Sequence, residues 1–441
     1  MDAVLGHRAR IRRRPRSTVL IRMPLPSVDL RPLRDSRDFR LLWLGQIVSM
    51  VGRQITVVAV PYQIFQTTHS ALAVGMLGLV QVVPLIVFSL AGGALADRVD
   101  RRRLLLLTNT LLAGCSGLFL GGAVAGNPPL AFLYAVAATG AAVSAFDQPA
   151  RAATIPRMVR PDQLAAALAL NFGLFMTTLV AGPAVGGLVI ARLGLAAAYL
   201  VDVVTFAAAI AAVALISPQP PTGARRESPL QAIRSGLSYA RRQPVVLAGF
   251  AIDLDAMVFG MPRALFPVLA ATTFHTGPGG LGLLYAAPGA GAVVAAALST
   301  GWVGRVHAQG QVVVVSVAVW GAAILGFGLT ASLPLALALL AMAGAADSVS
   351  AVCRTTMLQT VTVDEYRGRM SATYSMVVVG GPYIGDVEAG AVAQGFGARA
   401  SVVSGGVLCV LGAGLVAATL PVLWRYRAPT TAGVSAASVD A

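Results

Sequence analysis

The 441-residue chain contains no lysine, and all 33 of its basic residues are arginine. A Walker-type phosphate loop uses a lysine to contact the phosphates, and Schiff-base catalysis uses the lysine amine. Neither chemistry is available to this chain. The absence argues against transport driven by ATP hydrolysis on this polypeptide.

Cysteine and histidine are scarce, with three and four residues respectively. Cys115, Cys353 and Cys409 lie in apolar stretches, at spacings that suit neither a metal cluster nor a disulfide framework. The histidines fall in the amino-terminal segment and in short loops, without the spacing of metal ligands. A nucleophile elbow and a metal-binding helix motif are also missing from the sequence. We therefore expect no metal site, no cofactor and no enzymatic activity.

Charged residues are few, at 12% of the chain against roughly 25% in soluble domains. Hydrophobic residues make up 56%, which places the chain in lipid. The formal net charge of +15 would suggest a nucleic-acid partner in a soluble protein. Here the arginines cluster in loops on one side of the predicted membrane, so no nucleic-acid partner is expected.

Twelve apolar stretches are long enough to cross a bilayer as helices, which takes about 20 residues. We number them helix 1 to helix 12. The first six are predicted at residues 39–66, 71–95, 104–125, 130–146, 164–190 and 195–216. The last six are predicted at residues 245–271, 280–303, 312–330, 335–357, 370–393 and 400–423. The predicted fold class is an all-α membrane protein.

The two sets of six helices repeat each other at an offset of 199 to 201 residues. The segment VPYQIF at 60–65 returns as MPRALF at 261–266, and GPAVG at 182–186 returns as GPYIG at 381–385. Asp147 and Asp347 end a third matching pair of segments. Membrane-embedded repeats typically hold a substrate site between them. The sequence therefore predicts two pseudo-symmetric six-helix bundles with a transport site at their interface.

The placement of arginine orients the predicted helices. The amino-terminal segment and the loops after even-numbered helices hold 29 of the 33 arginines, and the opposite loops hold only Arg192 and Arg399. By the positive-inside rule, both termini are expected to be cytoplasmic in a multi-pass protein of the cell membrane.

Five regions follow from this topology. We expect a basic, disordered tail at 1–38, bundles at 39–216 and 244–423, a cytoplasmic linker at 217–243 and a carboxyl-terminal tail at 424–441. The linker places Leu237 and Ala240 on one apolar helical face beside Arg234, Arg241 and Arg242. This pattern predicts a short helix that lies on the anionic inner leaflet.

The loop after helix 2 reads GGALADRVDRRR at 92–103. It resembles the loop signature of the major facilitator superfamily, whose glycine, acid and bases match Gly93, Asp97, Arg98 and Arg101. The resemblance implies that this cluster latches the cytoplasmic side when the protein faces outward. The matching loop after helix 8, GWVGR at 301–305, lacks the acid, so a second latch is degraded.

Helix 5 carries Gly182, Pro183, Gly186 and Gly187 within the run TLVAGPAVGG at 178–187. The run resembles the Gly-x-x-x-Gly-Pro-x-x-Gly-Gly element of drug and proton antiporters in the same superfamily, with Thr178 in place of the first glycine. Small residues at this spacing allow close helix packing, and a proline bends a helix. Ordinary membrane packing is the alternative interpretation; the resemblance favours export.

Charged residues inside the predicted helices are expensive, at about 3 kcal/mol or more for an unpaired charge at the bilayer centre. Arg53 in helix 1 and Asp253 and Asp255 in helix 7 approach mid-membrane. We expect Arg53 to face one of these aspartates across the central cavity, as a site for substrate and proton coupling; a structural ion pair between helices 1 and 7 is the alternative. Residues two apart on a helix point about 200° apart, so the other aspartate faces a neighbouring helix.

A second charged group lies farther from the predicted cytoplasmic side. Arg263 in helix 7 is at the depth of Asp386 and Glu388 in helix 11. Because those two acids are also two residues apart, only one can face Arg263. The sequence predicts a structural ion pair between helices 7 and 11.

Segments at 146–159, 259–267 and 367–372 resemble the branch of the superfamily that includes the enterobactin exporter and macrolide efflux proteins. The resemblance implies alternating access and proton-driven efflux of an amphipathic small molecule, siderophore or drug-like. Asp147 with Arg151, and Asp347 with Arg354, lie at cytoplasmic helix ends where such pairs could brace an inner gate; solvated pairs are the alternative.

The expected partners are a small-molecule substrate, protons and membrane lipid, and a monomer is expected. Two other functions remain open at this point. The same scaffold could import a small metabolite, because rocking geometry does not set direction. A membrane sensor or a lipid scramblase is the alternative of another class.

Overall fold

The computed structural model describes residues 29–221, 229–299 and 306–428. The predicted tails, the GWVGR loop and part of the linker therefore fall wholly or largely outside the described residues. A short helix at Arg31–Asp35 lies within the predicted tail, and helix 1 begins at Arg37, two residues before the predicted start.

The amino-terminal half contains helix 1 (Arg37–Thr68), helix 2 (Ala71–Arg98), helix 3 (Arg101–Ala125) and helix 4 (Leu130–Met158). Helices 5 and 6 share one segment, Leu164–Ala214, which is broken at Gly194 with φ 83° and ψ 175°. Glycine populates this positive-φ conformation without the penalty that a Cβ would impose. The two crossings are thus joined without a loop.

In the carboxyl-terminal half, helix 7 comprises Pro244–Phe259 and Phe266–Thr272. The remaining crossings are helix 8 (Pro278–Ser299), helix 9 (Gln309–Leu329), helix 10 (Leu333–Val361), helix 11 (Asp364–Phe396) and helix 12 (Ala398–Thr419). The linker forms a helix at Pro229–Arg242, and a short helix at Pro421–Arg425 follows helix 12.

Ten helical segments in the described part of the chain are long and apolar enough to cross a membrane. One of them, Pro161–Ala214, has 54 residues and would measure about 80 Å if straight, so it accounts for both helices 5 and 6. Helix 11 is not among the ten, but its 33 residues suffice for one crossing. The described residues therefore contain twelve transmembrane helices, and because this number is even, helix 1 begins on the side of the membrane where helix 12 ends.

Polar caps fix the starts of three helices in the first half. The hydroxyls of Ser36 and Ser70 and the carboxylate of Asp100 each accept a hydrogen bond from the backbone N–H three residues ahead, at 3.1, 3.2 and 3.1 Å. Each cap satisfies one amide that a helix start leaves unpaired. Short polar breaks are therefore enough to separate consecutive crossings.

Helix 7 is interrupted at 260–265, where the sequence predicted a continuous helix. Gly260 ends its first part, and Pro262 lacks the N–H that would continue it. The carbonyls freed by the break find donors on other helices: Trp320 Nε1 donates to Gly260 O at 2.8 Å, and the Tyr285 hydroxyl donates to Arg263 O at 3.1 Å. Protein groups thus satisfy backbone that lipid could not.

The linker helix packs against the start of helix 11. The backbone of Gly236 closely approaches that of Arg369, and the rings of Tyr239 and Tyr366 stack with centroids 4.6 Å apart. Ala240, predicted to face lipid headgroups, is fully buried in this contact. The linker is helical, as predicted, but part of its apolar face covers protein.

Candidate transport cleft and its charged residues

Helices 2, 5, 8 and 11 join the two bundles at the end of the molecule opposite the termini. A methyl group on Gly187 of helix 5 would lie 2.7 Å from the Cα of Gly282 in helix 8. A methyl group on Gly75 of helix 2 would lie 3.0 Å from the Cα of Gly390 in helix 11. Glycine is what allows backbones to approach this closely. These two glycine contacts close one end of the interface.

Closer to the start of helix 1, helices 5 and 8 also meet through a side chain. A methyl group on Gly289 of helix 8 would meet Leu179 Cγ of helix 5 at 3.3 Å. The large apolar side chains that follow on all four helices are exposed: Phe172 and Phe175, Val294 and Leu298, Val83 and Val87, Met376 and Val379. We interpret this pattern of exposure as a cleft between the bundles that opens at the end where helix 1 begins.

The glycine element of helix 5 contacts two different helices. Gly182 and Gly186 face Gln54 and Ile55 of helix 1, whereas Gly187 faces helix 8 of the other bundle. Its copy in helix 11 packs in the same way, because Gly385 approaches the backbone of helix 7. The element therefore holds together both the first bundle and the bundle interface.

In the carboxyl-terminal bundle, helices 7 and 10 share a buried group of charges, which we term the C-terminal charge cluster: Asp253, Asp347 and Arg354. Arg354 Nη2 lies 2.7 Å from Asp253 Oδ1 and 3.5 Å from Asp347 Oδ1. Arg354 Nη1 also donates to Ser350 Oγ at 2.9 Å. Asp253 is 0% exposed, whereas the Asp347 side chain is 33% exposed, so one arginine serves one fully buried and one partly exposed acid.

The amino-terminal bundle has the corresponding N-terminal charge cluster: Arg53, Asp147 and Arg151 in helices 1 and 4. Arg151 Nη2 donates to Asp147 Oδ2 at 3.2 Å, and Asp147 Oδ1 accepts a hydrogen bond from Thr108 of helix 3 at 2.9 Å. Arg53 attracts Asp147 through space but forms no salt bridge within the described residues. It is partly exposed. The predicted gate pairs in helices 4 and 10 are thus in contact, while Arg53 stays unpaired.

The structure does not bring Arg53 to Asp253 or Asp255, as the sequence-based geometry expected. Asp253 turns toward Arg354 of its own bundle. Asp255 packs against helix 12, where a methyl group on Gly412 would meet its carboxylate, and its Oδ2 is buried without a hydrogen-bond partner. The physical reason is that each aspartate of helix 7 is enclosed by neighbours in the same bundle.

The predicted pair between helices 7 and 11 joins Arg263 to Asp386. Arg263 Nε and Nη2 lie 2.9 and 2.8 Å from Asp386 Oδ2, and the guanidinium lies 4.9 Å from the centroid of the Tyr383 ring. Glu388 forms no salt bridge in the described part of the chain, in keeping with its different direction on helix 11. A methyl group on Gly78 of helix 2 would lie 3.0 Å from Asp386 Cβ, so this pair is also part of the bundle interface.

The predicted cytoplasmic latch is only partly visible. The side chains at Gly93 and Asp97 lie outside the described residues, whereas Arg98 is exposed at the end of helix 2. Arg101 is buried at the start of helix 3, and its backbone N–H donates to Gln219 O at 3.0 Å. Asp100 accepts from Gln219 N at 3.0 Å, so this loop is fastened to the beginning of the linker.

One buried acid in the first bundle was not predicted as a site residue. Asp202 of helix 6 accepts hydrogen bonds at Oδ2 from Thr56 of helix 1 at 2.6 Å and from Ser116 of helix 3 at 2.7 Å. Its depth was readable from the sequence, since an acid in the middle of an apolar run is a signal in itself. Its partners were not readable, because they come from two helices whose rotation the sequence leaves open.

Two bundles of six helices, a glycine-lined interface and a charge cluster in each bundle define a transporter of the major facilitator superfamily. Within it, the chain belongs to the transmembrane secretion effector family, which it matches over residues 27–431. It is 30% identical over 409 residues to the enterobactin exporter EntS of Citrobacter koseri, covering 91% of this chain and 96% of that protein. It is 30% identical over 364 residues to EntS of Escherichia coli, covering 81% and 86%.

Solved structures share the fold at low sequence identity. A bacterial homologue of the human lysosomal transporter Spinster, solved inward-facing and unoccupied, matches with a TM-score of 0.70 and 16% identity over 89% of this chain and 98% of its own. A bacterial homologue of the iron transporter ferroportin, solved inward-facing, matches with a TM-score of 0.65 and 14% identity over 88% and 99%.

Proposed function

We propose that the protein is a secondary active transporter that exports a small amphipathic molecule, siderophore or drug-like, in exchange for protons. The observation that carries the proposal is a cleft between two bundles that is closed by glycine contacts at one end, with a charge cluster in each bundle. A cleft of this shape binds substrate from one side only. Breaking the glycine contacts and closing the other end would present the same site to the opposite side.

The direction of transport rests on two further observations. The glycine element of helix 5, which resembles that of antiporters, forms contacts in both the first bundle and the interface. The relatives at 30% identity are named as exporters of the siderophore enterobactin. With the termini in the cytoplasm, as the arginine distribution predicts, the cleft described here is open to the cytoplasm and ready to load an outgoing substrate.

The charge clusters support coupling to protons. We predicted from the sequence that substrate and protons are coupled by Arg53, Asp253 and Asp255. The gate pairs of helices 4 and 10 lie in corresponding parts of the two bundles. If Asp253 is the coupling acid, Asp253→Asn abolishes the proton dependence of export. Full proton dependence in this variant would remove Asp253 from the coupling mechanism.

Export can be tested in an Escherichia coli strain that lacks its own enterobactin exporter. Expression of this protein should restore enterobactin secretion into the medium, and an uncoupler should abolish the restoration. A second arm measures accumulation of the neutral amphipathic dye N-phenylnaphthylamine in the same cells. Uncoupler-sensitive loss of either compound from the cells supports export.

The rival functions give different results in the same assay. Uptake that rises on expression and falls with the uncoupler would indicate an importer. Movement of fluorescent phospholipid across vesicles that contain the purified protein, with no effect on either compound in cells, would indicate a scramblase. Each outcome contradicts the proposed exporter.

A further inference from the structure

The acids inside the membrane-spanning helices fall into two groups. Asp147, Asp253, Asp347 and Asp386 each lie within 3.5 Å of an arginine nitrogen. Asp202, Asp255 and Glu388 have no arginine within 4 Å in the described part of the chain. A buried carboxylate without a cation in contact is costly, and protonation removes that cost. The second group therefore holds the candidates for proton binding.

Asp202 is the member of this group with a built environment. It is 1% exposed, and its carboxyl group receives hydroxyl hydrogen bonds from helices 1 and 3 on Oδ2 alone. Oδ1 is buried without a hydrogen-bond partner. This oxygen and the Thr205 hydroxyl both occupy the space above Gly52, which a side chain there would fill. Two donors on Oδ2 and none on Oδ1 fit a neutral acid whose carbonyl oxygen is Oδ2 and whose proton is on Oδ1.

The other groups that act on Asp202 can be named from each packed helix. Helix 1 contributes Arg53, which attracts both Asp202 and Asp147 through space without touching either. Helix 6 itself contributes Tyr199, whose hydroxyl donates to Gln63 Oε1 at 2.7 Å and so is not directed at the acid. Helix 3 contributes only the Ser116 hydroxyl. Arg53 is thus the one cation placed to favour ionisation of Asp202 within the described residues.

We propose that Asp202 is the proton-binding site of the transporter, and that Arg53 links its protonation to the occupancy of the cleft. The proposal rests on the proposed proton exchange but places the proton inside the first bundle, away from the arginine-paired acids. In the step itself, the O–H bond at Oδ1 breaks and the proton is transferred to a water molecule, which becomes hydronium. The negative charge left on Asp202 is balanced by Arg53.

The same arrangement restricts the substrate. A group that binds beside Arg53 with a negative charge would weaken the attraction of Arg53 for Asp202 and favour reprotonation. A cationic group would favour the ionised acid. Because such coupling is reciprocal, only a substrate of this second kind competes with the proton, as exchange requires. We therefore expect the exchanged molecule to present a cationic group at the level of helix 1.

Infrared spectroscopy of the purified protein tests the site without any substrate. Wild-type protein at neutral pH should show carbonyl absorption from a protonated carboxyl group, and part of it should be lost in Asp202→Asn. Asp386→Asn, which removes an arginine-paired acid, should leave that absorption unchanged. Arg53→Gln should make the Asp202 band persist to higher pH. An Asp202→Asn spectrum that matches the wild type overturns the proposal.

A second variant distinguishes a specific change at Asp202 from a loss of absorption caused by misfolding. Ser116→Ala removes one hydrogen bond to the carbonyl oxygen and should move the Asp202 band to higher wavenumber without abolishing it. An unmoved band would show that the absorption belongs to another acid. For any compound that passes the export assay, Asp202→Asn should lose the response to an uncoupler. If Asp202→Asn still exports the compound in a proton-driven manner, the coupling role of Asp202 is wrong. If the wild-type protein shows the Asp202 band but exports nothing, only the proposed function is wrong.

Discussion

The two bundles place charge at matching positions, but at one position the sign is reversed. Arg53 in helix 1 and Asp253 in helix 7 are 200 residues apart, as are Asp147 in helix 4 and Asp347 in helix 10. The acids of helices 4 and 10 keep an arginine neighbour in both halves. The residue contributed by helix 1 or helix 7 differs in sign, and the arginine lies at Arg151 in helix 4 but at Arg354, 203 residues later, in helix 10. The repeat has thus preserved the location of the cluster and changed its balance.

We call a cluster closed when every charged member contacts an opposite charge, and open when one member has no such contact. In the C-terminal charge cluster, Arg354 contacts both acids, so each charged member has a partner of opposite sign in contact. In the N-terminal charge cluster, Asp147 is occupied by Arg151, and Arg53 has no contact partner among the described residues. The comparison teaches that one bundle uses its charges for structure, while the other keeps a cation available to respond to protonation.

The largest effect should come from opening the closed cluster. Arg354→Ala leaves Asp253 buried without a cation, which typically costs about 3–5 kcal/mol of folding stability. Thermal unfolding of the purified protein in detergent should show a large drop in midpoint. Arg192→Ala, in a loop outside the clusters, serves as the control. An unchanged midpoint in Arg354→Ala would show that the cluster is not structural.

The second effect concerns the glycine contact between the bundles. Gly187→Leu places a side chain against the Cα of Gly282, and overpacking of this kind costs about 1–3 kcal/mol. Since only the state described here needs this contact, we expect a shift toward the opposite opening and loss of export. Distances between spin labels on the two bundles at the end opposite the termini should increase.

Gly173→Leu is the matched control for this experiment. Gly173 lies on the same helix, but nothing lies within 4 Å of where its Cβ would be. It should retain wild-type distances and export. If both leucine variants behave alike, the contact between Gly187 and Gly282 does not set the state of the cleft.

Most of the architecture could be predicted from the sequence, because hydropathy identifies the segments that cross the membrane. The number of crossings, the repeat and the pair between helices 7 and 11 all followed from apolar length and residue depth. The break in helix 7 did not follow. Pro61 and Pro262 occupy equivalent places, yet helix 1 remains continuous through Pro61. The difference depends on Trp320 and Tyr285, which satisfy the broken backbone from other helices.

The contacts of the charged residues were harder to predict, because the depth of a residue in the membrane does not fix the direction in which its side chain points. Arg53, Asp253 and Asp255 were correctly recognised as embedded, but which neighbour each meets depends on helix rotation. Asp253 lies against Arg354, which the sequence analysis assigned to a gate pair with Asp347 alone. A single arginine shared by two acids from different helices has no signature in the spacing of residues.

A smaller effect should follow from loosening the hydroxyl contacts of Asp202. Ser116→Ala removes one hydrogen bond across helices 3 and 6, worth about 1 kcal/mol in stability. Thr110→Val on the same helix removes a hydroxyl that donates only to its own helix, at Leu106 O, and should cost less. Equal midpoints for the two variants would show that the contact with Asp202 contributes nothing to folding.

The smallest change in stability should come from the open cluster itself. Arg53→Gln removes a charge that contacts no acid in the described structure, so the unfolding free energy should change by no more than about 0.5 kcal/mol. Export coupled to protons should nevertheless fall, because Asp202 loses the cation that favours its ionisation, while Arg53→Lys, which keeps the charge, should restore part of it. A small loss of stability with a large loss of coupling is the reverse of what Arg354→Ala should show. Equal destabilisation by Arg53→Gln and Arg354→Ala would mean that both clusters are structural, and that the reversal of sign between helices 1 and 7 has no role in transport.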